Sequence, residues 1–180
     1  QKCSALSRLY VHEAVADDLI KRLKDRIGAI QVGDPREREQ WMGPVINAAA
    51  YENFQRYMDD FREPEAKVLA GGDRMGLDSG GPSAFAHGYF VAPTLVEAPA
   101  NHPLWEQEMF VPILTLLRCR SRDEAMRHAN DSALGLAAGF YGGVGEVPWF
   151  HDHIEAGVVY SNRSQGATTG AWPGYQPFGG

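Results

Sequence analysis

The sequence predicts an α/β domain: a mostly parallel twisted sheet with helices on both faces. Three observations lead there. The runs PILTLLRC, LAAGFYGG and GVVYSN are largely apolar, as strands buried on both faces are. Segments with apolar residues at helical spacing stand between such runs. The chain has 180 residues, 44% apolar and 22% charged, enough for one domain with a sizeable core.

The elements follow in order. Ser7 to Val11 suits a strand. From His12 to Ile30, Val15, Leu19, Ile20, Leu23 and Ile27 repeat at helical spacing with charges between them. The acidic start and basic second half of that helix suit its dipole. Gly33 and Pro35 mark the exit into a loop. A second helix is predicted from about Asn47 to Phe61, with Tyr51, Phe54, Tyr57 and Met58 as its core-facing stripe. KVLAGG is a short strand ending at paired glycines. Tyr89 to Val96 reads as a strand interrupted at Pro93, hence near an edge or bulge. PILTLLRC is the first of the buried strands. Ser121 and Glu124 form an S-x-x-E capping box that opens a helix through about Asn130. LAAGFYGG is a second buried strand. Glu146 to Glu155 suits a helix with Pro148 in its first turn. GVVYSN is the last strand, and Arg163 to Gly180, rich in Gly, Thr and Pro, reads as a loop.

Several functions are disfavoured. The formal net charge is -6, and there is no basic stripe to neutralise phosphates, so nucleic acid is not an expected partner. No apolar run reaches the roughly 18 residues of a membrane span, and no secretory signal opens the chain. The glycine-rich stretch from Gly71 to Gly88 lacks the G-K-[ST] of a phosphate loop and reads as a surface loop or hairpin. His151 and His153 are the one close histidine pair, two apart and without companion ligands, so no metal is expected. The reading is of a cytoplasmic domain with two thiols, Cys3 and Cys119, rather than a disulfide.

A few residues have the chemistry for a site. Cys3 is followed by the small residues Ser4 and Ala5, which keep a thiol reachable and leave backbone N–H groups open to an oxyanion. Lys2 favours the thiolate, the reacting form. No histidine partner can be assigned. Cys119, in an apolar run, reads as an inert core thiol. Glu106 and Glu108 bracket Gln107, and either carboxylate can accept hydrogen bonds from a sugar diol. In TTGAWPGYQPFGG, the N–H groups of Gly170 and Ala171 are unobstructed and suit a carboxylate, with Phe178 able to wall the same pocket.

These pieces resemble, in order, the segments of one superfamily. QKCSALSR resembles the catalytic-cysteine segment, G-Q-x-C, of the NAD(P)-dependent aldehyde dehydrogenases. MGPVIN resembles their second-helix entry, EMFVPIL their E-x-F-G-P-V segment and QPFGG their P-F-G-G stretch. The four matches cover the whole chain. The resemblance implies that residues 1–180 are the catalytic, thiol-bearing domain, truncated at both ends, with the NAD(P)-binding domain absent. It implies an oxidoreductase that turns an aldehyde into a carboxylic acid with NAD, NADP not being excluded, through a thiohemiacetal and thioester on Cys3. Glu108 should then hold the nicotinamide ribose and Phe110 pack nearby. The general-base glutamate and an oxyanion asparagine should lie outside this chain, leaving the fragment inactive alone. The whole enzyme should be a homo-oligomer.

NRSQGATTGAWPGYQPFGG is similar to the substrate loop of the 1-pyrroline-5-carboxylate (glutamate semialdehyde) dehydrogenases. That likeness implies that Ser4, Gly170 and Ala171 hold the substrate's carboxylate and Phe178 packs on its chain. L-glutamate 5-semialdehyde, an intermediate of proline catabolism, is the substrate it implies. Another aldehyde or semialdehyde is the alternative, and a non-catalytic assembly domain is the alternative of a different class. One departure stands out: Val111 occupies the family's usual glycine position, and it is expected to add bulk near the nicotinamide ribose.

Overall fold

In a computed structural model, residues 3–62, 65–75, 85 and 88–164 are described. The first strand, β1 (Arg8–His12), runs straight into helix α1 (Glu13–Gly28). His12 makes that junction, its Nδ1 accepting the Ala14 amide at 3.2 Å. Such a cap meets one of the amides that a helix start leaves unpaired. Helix α2 (Ala48–Asp60) is capped the same way, Asn47 Oδ1 accepting from Ala50 N at 2.9 Å. Its stripe of Tyr51, Phe54, Tyr57 and Met58 is buried as predicted. Strands β2 (Lys67–Ala70), β3 (Thr94–Glu97) and β4 (Ile113–Cys119) follow. Then come α3 (Arg122–Asn130), β5 (Ala137–Phe140), α4 (Val147–His153) and β6 (Val158–Ser161).

The class is α/β. One sheet has the order β1-β4-β3-β2, and β5 pairs with β6 in a second. β3 and β4 are parallel, as are β5 and β6, while β2 adds antiparallel to β3. The residues group into two units, Ser7–Arg118 and Gln1–Leu6 with Cys119–Gly180.

In the first unit, α1 covers one face of the four-stranded sheet. Ala16 and Ile20 of the helix pack with Val11, Leu95 and Leu116 of the strands, all buried. Side chains alternate along a strand, so Thr94 and Val96 face the other way and are buried there. On that side Thr94 Oγ1 accepts the Gly72 amide at 2.9 Å, and Met58 of α2 comes up to Gly72. Helix α2 therefore lines the second face. Gly71 and Gly72 close β2 with φ of 71° and 95°. A Cβ on Gly71 would meet the Pro93 carbonyl oxygen at 2.2 Å, so the paired glycines are sterically required. Arg118 of β4 reaches Asp17 of α1 at 2.7 Å and Glu97 of β3 at 2.8 Å. Those two hydrogen bonds raise its pKa further above the ordinary arginine value.

In the second unit, the predicted capping box is present with one adjustment. Ser121 Oγ accepts from Glu124 N at 3.1 Å, while the Glu124 carboxylate accepts from the amide of Arg120 rather than of Ser121. Asn130 ties the end of α3 to the end of α4, donating to the His153 carbonyl and accepting from the Glu155 amide. Phe140 of β5 stacks on Phe150 of α4 at 5.2 Å.

Two details depart from the sequence reading, and the glycine-rich loop accords with its hairpin alternative. The strand around Pro93 starts only at Thr94, because Pro93 has no amide to give a ladder. Val91 keeps an isolated antiparallel bridge to Arg74, which pairs the two ends of the glycine-rich loop as a hairpin would. Residues 76–84, 86 and 87 of that loop lie outside the described residues. β5 and most of β6 are half-buried rather than buried, since each is at the edge of a two-stranded sheet.

Leu116 is fully buried at the centre of the α1–sheet core. Leu116→Ala is expected to lower unfolding free energy by about 3 kcal/mol. Asn47→Ala, which removes only a cap, is expected to cost about 1 kcal/mol. Urea denaturation curves of the two variants check both magnitudes.

Candidate active site

The cysteine predicted as nucleophile lies in a turn. Cys3 is exposed, Ser4 beside it is half-buried, and Ala5 and Leu6 are exposed. The small side chains leave the sulfur open to solvent, as predicted. Cys119 is its opposite: buried completely at the end of β4, with burial pushing its thiol up to about 11. A buried thiol has no water to solvate a thiolate, so Cys119 stays protonated and inert at neutral pH.

Glu108 and Phe110 are in the other unit, on the segment that joins β3 to β4. Both are exposed, while Met109 and Val111 between and after them are buried. The segment thus presents the carboxylate and the ring outward together. Among the described residues Glu108 has no hydrogen bond or ion pair, so its acceptor sites are open. Phe110 has φ of 53°, in the left-handed region that a residue with a Cβ rarely adopts. Val111 is only 8% exposed. Its side chain is therefore largely buried next to the exposed Phe110.

The backbone leading to these two residues is tightly held. One turn of 3-10 helix, Pro103–Trp105, has His102 as its cap. The buried Trp105 ring stacks on Tyr10 of β1 at 5.4 Å and donates from Nε1 to the Pro99 carbonyl at 2.8 Å. Its own carbonyl accepts from Arg8 at 3.2 Å. Gln107 then donates to the Tyr57 hydroxyl of α2 at 3.3 Å. The sequence reading missed these anchors. His102 followed by Pro103 is a helix-start signal that was available, since proline favours the first helical position.

Gly170, Ala171 and Phe178 lie outside the described residues. Cys3 and Ser4 belong to one unit, Glu108 and Phe110 to the other. Among the described residues no three His, Cys, Asp or Glu side chains are grouped to hold a metal.

The family model for the aldehyde dehydrogenase family matches residues 1–180. The chain belongs to the aldehyde dehydrogenase family. It is 34% identical over 182 residues to a chloroplastic aminoaldehyde dehydrogenase of Arabidopsis thaliana, covering 99% of this chain and 35% of that protein. It is 33% identical over 182 residues to the 1-pyrroline-5-carboxylate dehydrogenase of Bacillus subtilis (strain 168), covering 100% of this chain and 33% of that one. The crystal structure of a Thermus 1-pyrroline-5-carboxylate dehydrogenase with bound NAD superposes with a TM-score of 0.85 at 32% identity, over 100% of this chain and 33% of that chain. Betaine aldehyde dehydrogenase of Staphylococcus aureus, in complex with NAD+, superposes with a TM-score of 0.81 at 28% identity, over 89% and 31%. The chain spans about a third of the length of the curated relatives it matches.

The contrast between the two thiols is measurable. With iodoacetamide at about pH 8, Cys3 is expected to alkylate in the native protein and Cys119 only after unfolding. Because folding raises the Cys119 pKa, the folded state loses stability as pH climbs from about 8.5 toward the folded value. Mass spectrometry of peptides from native and denatured samples reads the labelling.

Proposed function

We propose that the full-length protein oxidises an aldehyde to a carboxylic acid with a nicotinamide dinucleotide, NAD or NADP, and that Cys3 is its nucleophile. The observation that carries this reading is the exposed Cys3 sulfur among small neighbours in a chain of this family. The thiolate attacks the aldehyde carbon, a C–S bond forms, and the carbonyl oxygen takes the negative charge. The Cys3 backbone N–H donates to that oxyanion; such a donor is worth about 3–4 kcal/mol in the transition state. Glu108 and Phe110 fit the dinucleotide: an unpartnered, acceptor-only carboxylate suits the two hydroxyls of a ribose, and a half-exposed ring offers an apolar wall. A nicotinamide held there would supply the acceptor for the hydride that leaves the substrate carbon. Water then attacks the Cys3 thioester, releasing the carboxylic acid and restoring the thiol.

L-glutamate 5-semialdehyde is the substrate favoured by this reading. Its support is the likeness to 1-pyrroline-5-carboxylate dehydrogenases, together with Ser4 next to the nucleophile as a hydroxyl donor for the far carboxylate. Relatives named for aminoaldehydes and betaine aldehyde favour a second reading, a cationic or neutral aldehyde of similar size. A homo-oligomer belongs to the same proposal.

In the full-length enzyme, Cys3→Ala is expected to abolish NADH production while NAD binding stays near normal. Retained turnover would remove Cys3 from its role. The substrate is tested by kcat/KM: glutamate semialdehyde is expected to exceed propanal and betaine aldehyde by tenfold or more, about the worth of one good charged contact. Equal values would set aside the carboxylate-binding role of Ser4.

A further inference from the structure

The segment carrying Glu108 and Phe110 begins at a histidine for which the proposed chemistry has no use. His102 is 8% exposed, and both of its ring nitrogens are engaged. Nδ1 faces the Leu104 amide at 3.3 Å, and Nε2 faces the Asp60 carbonyl oxygen at 3.3 Å. An amide can only donate and a carbonyl can only accept. The ring is therefore neutral, with Nδ1 accepting and Nε2–H donating. It also stacks on Phe61 at 4.8 Å. One side chain thus starts the 3-10 turn and fastens that turn to the C-terminal end of α2.

From this geometry we propose that His102 is a positioning residue for dinucleotide binding, holding Glu108 and Phe110 in their outward arrangement through the turn it caps. The proposal rests on the reading of Glu108 and Phe110 as the dinucleotide's contacts. Its physical basis is the short, stiff path between them. Pro103 fixes the first residue of the turn, Trp105 is stacked and hydrogen-bonded, and Gln107 is tied to Tyr57. The Leu104 amide is buried with its residue, so removing Nδ1 leaves that donor without an acceptor. The turn then opens for part of the time, and cofactor affinity falls in proportion to the fraction still closed.

The test uses the full-length enzyme and three variants. His102→Ala is expected to raise both the Kd and the KM for NAD about fivefold, the worth of a lost cap. The aldehyde KM should stay within about twofold. His102→Asn, whose side-chain oxygen serves well as a cap, should restore NAD affinity to within about twofold of wild type. A role confined to stability would lower the amount of folded enzyme and leave the KM for NAD unmoved. Hydrogen exchange of residues 102–107 in the wild type gives a readout independent of turnover and of any variant's folding: NAD should slow it. Unchanged exchange, or unchanged NAD affinity in His102→Ala, overturns the role of His102 where Glu108→Gln weakens NAD binding. Should Glu108→Gln bind NAD as wild type does, the reading of Glu108 is overturned and this inference with it.

Discussion

β3 and β4 lie side by side and run in the same direction, and that pairing constrains the chain between them. Parallel neighbours cannot be joined by a tight turn, because the chain must first travel back along the strand, which takes about a dozen residues or more. Residues 98–112 make the return. They do so with one 3-10 turn rather than a full helix, so few of their backbone groups are paired internally. Neighbouring elements add further ties: Arg8 meets the Trp105 carbonyl, the His102 ring meets the Asp60 carbonyl of α2, and Thr94 N meets the Pro112 carbonyl, while His102 also accepts the Leu104 amide within the segment. The outward pair, Glu108 and Phe110, sits near the end of this fixed path.

The sheet beneath owes its stability mainly to apolar contact. Ala16, Ile20, Leu95 and Leu116 exclude water between α1 and the strands, and on the other face Val96 and Thr94 are buried as well. Polar contacts add alignment more than energy. Asp17, Arg118 and Glu97 join helix and strands at one edge of the apolar cluster, but Asp17 is largely exposed, and exposed ion pairs contribute little each. Local signals agree with this packing at three of the helix starts: His12, Asn47 and Ser121 each offer an acceptor to an early amide. Agreement between capping and burial is what lets one arrangement win.

Much of this was legible in the residues. The 3.6-residue spacing of Tyr51, Phe54 and Met58 specifies α2 without reference to anything distant, and the mostly apolar run Ile113–Cys119 specifies a buried strand. The two sulfurs were also separable on sequence: Cys3 precedes the small residues Ser4 and Ala5, whereas Cys119 ends a strand-like run rich in aliphatic residues. Position in a sheet was harder to read. LAAGFYGG and GVVYSN have the composition of central strands, yet among the described residues they pair only with each other, because composition reports side chains and not neighbours. The left-handed backbone at Phe110 was hidden too, since no periodicity encodes the sign of one φ angle. His102 and Gln107 were missed because their partners, Asp60 and Tyr57, are more than 40 residues away in sequence.

The left-handed backbone at Phe110 has a consequence for how this chain can change. A residue with a Cβ in that conformation costs about 1–2 kcal/mol, which glycine would not incur. Mutation to glycine there is the comfortable direction for the polypeptide, and it would remove the one aromatic surface the segment shows to solvent. A variant library ranked by heat resistance alone should therefore drift away from phenylalanine at this site, whereas one ranked by turnover should keep it.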